Sequence, residues 1–229
     1  MLPLALLGLV AAATATAIPA PRDNKCTSPE VRKEWRELSS GEKAEYLRAA
    51  KCLRELPKKK YAEVDVVKTR MDELVWTHFS LNLDIHFVAN FLPWHRWFVK
   101  LHEDMLRNEC NFKGTQPYWD WSIDADALNT VNSPIHSIIF GDMGPATSPN
   151  EPLFMLHHAN VDRAWARWEG RNATRLADYA GFNDRSKARS ASINDEMPVM
   201  QLSDVAPVVS DYMDIQGGPL CYTYSKMTL

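Results

Sequence analysis

Close-set cysteines are missing from this 229-residue chain: it has four, Cys26, Cys52, Cys110 and Cys221, and no two form a CxxC pair. That spacing argues against a thiolate zinc or iron–sulfur site. The HExxH signature of zinc hydrolases is absent as well. Neither sign of charge dominates. With 26 Lys and Arg against 29 Asp and Glu, the formal net charge of -3 gives no reason to expect nucleic acid as a partner. Internal repeats and low-complexity stretches are lacking after the first twenty residues. No second apolar run of membrane length follows them either, so the mature form is expected without a membrane span.

Hydrophobic residues make up 45% of the chain and charged residues 24%, a balance that supports a sizeable core within one domain. The first twenty residues, MLPLALLGLVAAATATAIPA, read as a secretory signal peptide with cleavage after Ala17 or Ala20. That leaves 21–229 as a single domain, secreted or extracellular. An oxidising route favours disulfides, and three pairings are open. The simplest joins Cys26 to Cys52 across two short helices and Cys110 to Cys221 to fasten the tail. Asn172-Ala173-Thr174 is a usable N-glycosylation sequon, whereas Asn132-Ser133-Pro134 lacks the required third residue.

Helical spacing starts at residues 29–38, behind Pro29. Ser39 three before Glu42 forms a capping box for a helix over about 41–55, stopped by Pro57. VDVVKTRMDELVWTHF repeats apolar residues at Val67, Met71, Leu74 and Val75, with His78 next on that stripe. A loop around LNLD precedes a long helix starting near Pro93. Residues 111–149 read as loop. EPLFMLHHANVDRAWARWEG restores a helix closed by Gly170, and QGGPLCYTYS holds a short strand. The expected class is mainly α, a helical-bundle core with long loops and little sheet.

All seven histidines fall between residues 78 and 158. Neutral imidazole is a natural donor to copper, zinc or iron, and three of them can hold a first-row metal with a coordination position open. Taken singly, His78 reads as either a satisfied core residue or a ligand, and His86 as a capping residue or a ligand. His95 stands among Trp94, Arg96 and Trp97, where a buried polar ring needs a partner or a metal. The charged surroundings of His102 favour a surface or supporting role. His157 and His158 are consecutive and do not share one helical face. His158 lies with Phe154, Val161, Asp162 and Trp165 and is the better inward ligand, which leaves His157 to a supporting hydrogen bond or to packing. Asp162 can orient His158 or anchor Arg163. His136, in VNSPIHSIIFGDM, reads equally as a turn residue or a ligand.

The stretches IHFVANFLPWHRWFV, PYWDWS and SPNEPLFMLHHANVDRAWARWE, together with GDM, resemble the secreted fungal members of the tyrosinase family. The resemblance covers roughly residues 24–224. It implies a helical core holding two coppers, each by three histidines, that oxidises phenols or catechols with dioxygen. It assigns His78, His86 and His95 to the first copper and His136 and His158 to the second, with Phe154 packed beside the pair and Trp119, Asp120 and Trp121 in a structural segment. Some members join a ligand histidine to a cysteine. Here Asp84 stands two before His86, so that link is not expected.

One departure stands out. Where family members carry HNxxH, this chain has Asn132 in the place of the first histidine, four before His136, with Pro134 between them. The family's long insertion between PYWDW and that motif is also missing. The expectation is therefore a site short of its sixth histidine, with Asn132 as a weak substitute and one or two coppers bound. Oxidation of o-diphenols to o-quinones by dioxygen is the activity expected, with monophenol oxygenation a more demanding extension. The alternatives are a secreted copper-binding relic without activity or a truncated product of an active enzyme's gene.

Overall fold

The computed structural model describes residues 26–124 and 135–227. The leader with Ala17 and Ala20 lies outside the described residues, as does Asn132. Helix α1, Ser40–Glu55, starts at the expected capping box: Ser39 Oγ accepts from the Glu42 amide, and the Glu42 carboxylate accepts from the Ser39 amide at 2.8 Å. These bonds satisfy amide donors that the first helical turn leaves without partners. One face of α1 buries Tyr46, Ala49 and Leu53.

Helix α2, Arg70–Ser80, begins later than its hydrophobic period suggests, because Thr69 and Asp72 form a second capping box. Val67 is buried but lies ahead of the helix, while Met71, Leu74, Val75 and His78 form the buried stripe. The stretch expected as loop after it contains a single turn of helix, α3, Asn82–Ile85, which tucks Ile85 into the core. Helix α4, Phe91–Cys110, places Pro93 in its first turn, where an amide proton is not needed. Asn111, in the left-handed region at φ 55°, ends it.

Short α5, Ile135–Ile139, lies within the stretch 111–149 expected as loop, and α6, Leu153–Glu169, ends at Gly170 as expected. Helices α4 and α6 pack against each other at the centre, with α1 against α4 and α2 against α1. Among the described residues the sheet is limited to two strands, and the fold is mainly α.

The N-terminal segment departs from the helix expected over 29–38. Glu30–Arg32 is a strand, β1, followed by a 3-10 turn at Trp35–Glu37. Strand β1 pairs in parallel with β2, Tyr222–Tyr224, with Arg32 opposite Tyr224. Arg32 is carried into the core, where it meets Glu103 at 2.5 Å and the Tyr224 hydroxyl at 3.2 Å. A partner 192 residues away decides this conformation, which local periodicity does not register.

The same pairing corrects the expected disulfides. Cys26 is bonded to Cys221 beside the β1–β2 ladder, and Cys52 to Cys110, where the C-terminal ends of α1 and α4 meet. Neither Cys26–Cys52 nor Cys110–Cys221 forms, because strand pairing and helix packing, rather than closeness in sequence, bring the thiols together.

A buried ionic network ties these pieces together. Arg96 of α4 meets Asp162 of α6 at 2.5 Å and Glu169 at 2.7 Å, and donates to the carbonyls of Tyr212 and Met213. Asp162 also accepts from the hydroxyls of Tyr222 and Tyr224. It does not orient His158 and does not anchor Arg163, which instead meets Asp120 and Asn160. Removing the shared cation would leave Asp162 and Glu169 buried without their main counter-charge. Arg96→Ala is expected to destabilise the chain by about 3–5 kcal/mol, against less than about 1 kcal/mol for Lys51→Ala in the exposed Lys51–Glu55 pair. Urea unfolding of both variants, on equal footing, checks the contrast.

Candidate metal centre

Two helices and the capping residue of a third bring the first cluster together. His78 comes from α2, His95 from α4, and His86 is the residue that ends α3. Ring centroids lie 4.9 Å apart for His78–His86, 5.0 Å for His86–His95 and 5.6 Å for His78–His95. The second cluster takes His136 from α5 and both His157 and His158 from α6, with centroid separations of 5.0, 5.0 and 5.6 Å. Within each triad one ring nitrogen per residue lies within 4.8 Å of the other two.

Backbone carbonyls fix how four of these rings present themselves. Nδ1 of His78 meets the Ala146 carbonyl, that of His86 the Asn82 carbonyl, that of His95 the Phe91 carbonyl, and that of His136 the Met143 carbonyl, all at 2.7–2.8 Å. A carbonyl only accepts, so each Nδ1 carries the proton and each Nε2 keeps its lone pair. This gives the GDM motif a physical role. Phe140 and Gly141 both take positive φ, turning the chain so that the carbonyl at the end of the Gly141–Met143 turn comes back to His136.

The two clusters abut. His95 and His158 stack with centroids 4.3 Å apart and planes 12° from parallel. Phe154, fully buried one turn before His158, packs 4.3 Å from it, 5.2 Å from His78 and 5.9 Å from His136. Its ring thus touches histidines of both groups.

Five imidazole nitrogens are buried here without a hydrogen-bond partner among the described residues: His78 Nε2, His95 Nε2, His157 Nδ1 and both nitrogens of His158. Each buried, unmet polar atom costs on the order of 1–3 kcal/mol, so their concentration in one place marks a site built to be completed by something they bind. Neutral nitrogen donors in threes suit copper, and the two triads fit a dinuclear copper site.

The second triad overturns the expectation of a missing sixth histidine. His157, assigned from its helical position to support or packing, stands with His136 and His158. Successive helical residues diverge by about 100°, but His136 reaches the cluster from a separate element and lies 5.0 Å from one ring and 5.6 Å from the other. The consecutive HH pair was the visible signal; helical geometry assigned only one of its members inward. The inactive-relic alternative rested on the missing imidazole and loses that ground. His102 is corrected too. It is buried rather than at the surface, and its Nδ1 meets Gln116 Oε1, away from both triads.

Burial, reinforced by neighbouring rings, pushes the clustered imidazoles down, to about 3 for His78 and His157 and well below the ordinary 6.5 for His95 and His158. His86 and His136 are lowered by burial as well. All six are held in the neutral form that binds metal. An unfolded chain takes up protons on these residues near pH 6.5 while the folded chain does not, so this contribution to stability is full above pH 6.5 and is lost as pH falls below it. The melting temperature of the metal-free chain is expected to drop steadily between pH 7 and pH 5. A melting temperature that stays level or rises over that interval contradicts a neutral, buried cluster.

Comparison with known proteins agrees with this geometry. The common central domain of tyrosinase matches residues 68–134 and 127–171. The tyrosinase ustQ of Aspergillus flavus is 26% identical over 292 aligned positions, covering 87% of this chain and 80% of that protein. Tyrosinase P of Aspergillus terreus is 44% identical over 119 positions, covering 50% of this chain and 33% of its own length. A polyphenol oxidase structure from Thermothelomyces thermophila shares the fold, with a TM-score of 0.76 at 21% identity over 88% of this chain and 91% of that one. Two abutting histidine triads stand on this helical frame, and the match to the common central domain of tyrosinase runs through all six of their histidines, so over residues 68–171 the chain is similar to the tyrosinases.

Proposed function

We propose that this chain is a secreted, copper-dependent phenol oxidase that converts o-diphenols to o-quinones with dioxygen, and extends to monophenols as a harder reaction. The pair of abutting histidine triads carries this reading. His78, His86 and His95 would hold one copper, and His136, His157 and His158 the other. Bound there, the metal pair supplies reversible redox chemistry between the organic substrate and dioxygen. Overall, two catechols each lose two electrons and two protons, and one dioxygen takes up all four of each to leave two waters.

The protein's own share is geometry and dryness. The carbonyls of Ala146, Asn82, Phe91 and Met143 hold four rings in a fixed tautomer and direction before any metal arrives. Phe154 and the His95–His158 stack fill the space where the clusters meet with apolar and ring surface, which would help to exclude water. Phe87, which follows His86 in the chain, is 88% exposed at φ 62° and would offer an apolar surface to an aromatic substrate.

Secretion rests on the apolar leader, and no helix among the described residues is long and apolar enough to cross a membrane. Glycosylation at Asn172 is compatible with its exposure and with the 3-10 turn that it caps. A segment shortened between PYWDW and the second cluster is supported by an alignment of 292 positions to a chain of 229 residues, and by two matched family segments that overlap at 127–134.

Copper analysis joined to catechol-dependent dioxygen uptake tests the assignment. The purified chain is expected to hold two coppers. His157→Ala and His158→Ala should each bring the count to one and lower the rate at least a hundredfold. Two coppers and full turnover in His157→Ala would remove that residue from the site, and a copper-free wild-type chain would end the oxidase reading.

A further inference from the structure

A cavity of about 310 Å³ lies on the other side of the start of α6 from the histidine clusters, and none of the six clustered histidines lines it. Its walls are mostly apolar: Trp35, Leu47, Ala50, Met71, Trp119 and Leu153. Two polar side chains, Tyr46 and His102, also line it, and both are at least 95% buried.

The proton positions on these two groups follow from their neighbours. Gln116 Nε2 meets the carbonyl of Pro117 at 3.1 Å, and a carbonyl only accepts, so that end of the side chain is the amide nitrogen. The same nitrogen donates to the Tyr46 hydroxyl at 3.2 Å, which leaves the tyrosine's own proton free to be donated. The other end, Oε1, accepts from His102 Nδ1 at 2.9 Å, so the lone pair of this imidazole sits on Nε2. Neither that lone pair nor the Tyr46 proton has a partner among the described residues. A largely apolar pocket therefore ends in one fixed acceptor and one fixed donor.

That pattern selects its ligand. A hydroxyl group gives one proton and accepts another, and an aromatic ring suits walls that include two tryptophans. The rim favours a neutral molecule, since it presents Arg54 and Glu151 together, and Arg36, already paired with Glu34 and Asp124. We infer that the His102–Tyr46 cavity is a second, non-redox binding site for a small neutral hydroxyarene, with the ligand hydroxyl donating to His102 Nε2 and accepting from Tyr46. The occupant would press on Leu153, Met155 and Leu156, while the intervening Phe154 and the following His157 and His158 face the clusters. Occupancy would thus bear on the helix turn that carries the second triad.

The test uses 4-fluorophenol as probe, followed by fluorine NMR on the full chain, copper-stripped so that binding does not depend on the oxidase reading. Saturable binding of one probe per chain is expected. Ala50→Phe, which fills the cavity from its wall, should abolish it, and His102→Phe should weaken it about tenfold through loss of one hydrogen bond. Fluorobenzene, which lacks the hydroxyl, should bind the unmodified chain about tenfold more weakly and reads the same bond if His102→Phe fails to fold. The inference is overturned if no saturable binding occurs, if Ala50→Phe leaves it intact, if fluorobenzene binds as well as the phenol, or if binding is lost in His157→Ala but kept in Ala50→Phe.

Discussion

The contact between Arg96 and Asp162 holds the rest of the molecule in place. Arg96 follows His95 directly on α4, and Asp162 stands one turn after His158 on α6, so the pair sets the two helices at the depth and rotation where those rings stack. The same aspartate takes the hydroxyls of Tyr222 and Tyr224, and through them the C-terminal strand closes over the helices. A buried ion pair is weak evidence for stability in general, because desolvation offsets the attraction. Here its value lies in specificity. A packing of α4 on α6 shifted by a turn would separate Arg96 from Asp162 and leave both charges buried and unpaired.

With that frame fixed, the site depends on many short-range restraints of one kind. Rings whose Nδ1 protons meet main-chain carbonyls do not need a metal to find their orientation, so the cost of ordering them is met during folding. The unsatisfied nitrogens that remain are a liability for the metal-free chain, offset only when something with empty orbitals arrives. Stability and function are coupled through the same atoms. Acid that protonates the imidazoles weakens both the fold and the affinity for metal, since proton and metal compete for one lone pair.

His102 illustrates how an imidazole outside the clusters differs from those in them. It too is buried and kept neutral, but its Nδ1 partner is a glutamine side chain, and it lines an apolar cavity instead of meeting other histidines. One lone pair beside one hydroxyl proton suits a hydrogen-bonding ligand, whereas three converging lone pairs suit a metal. The sequence offers seven histidines of one chemical type, and the environment divides them into two triads and one outlier.

Much of this was legible in the residues themselves. Capping pairs and apolar periods are local, so Ser39 with Glu42, the stripe from Met71 to His78 and the helix ending at Gly170 could be read directly. The resemblance likewise pointed to five of the six clustered histidines. Three features were decided by tertiary contacts alone. The segment around Arg32 became a strand because β2 lay beside it, and the disulfides paired according to which chain ends met. The third is His157, which joined the second triad because His136 approached from another element at an angle that one helix's face pattern cannot express. Sequence determined which groups were available and which local shapes they favoured. Only the packing of distant segments determined which groups met, because the energy of a contact depends on both partners and periodicity records one.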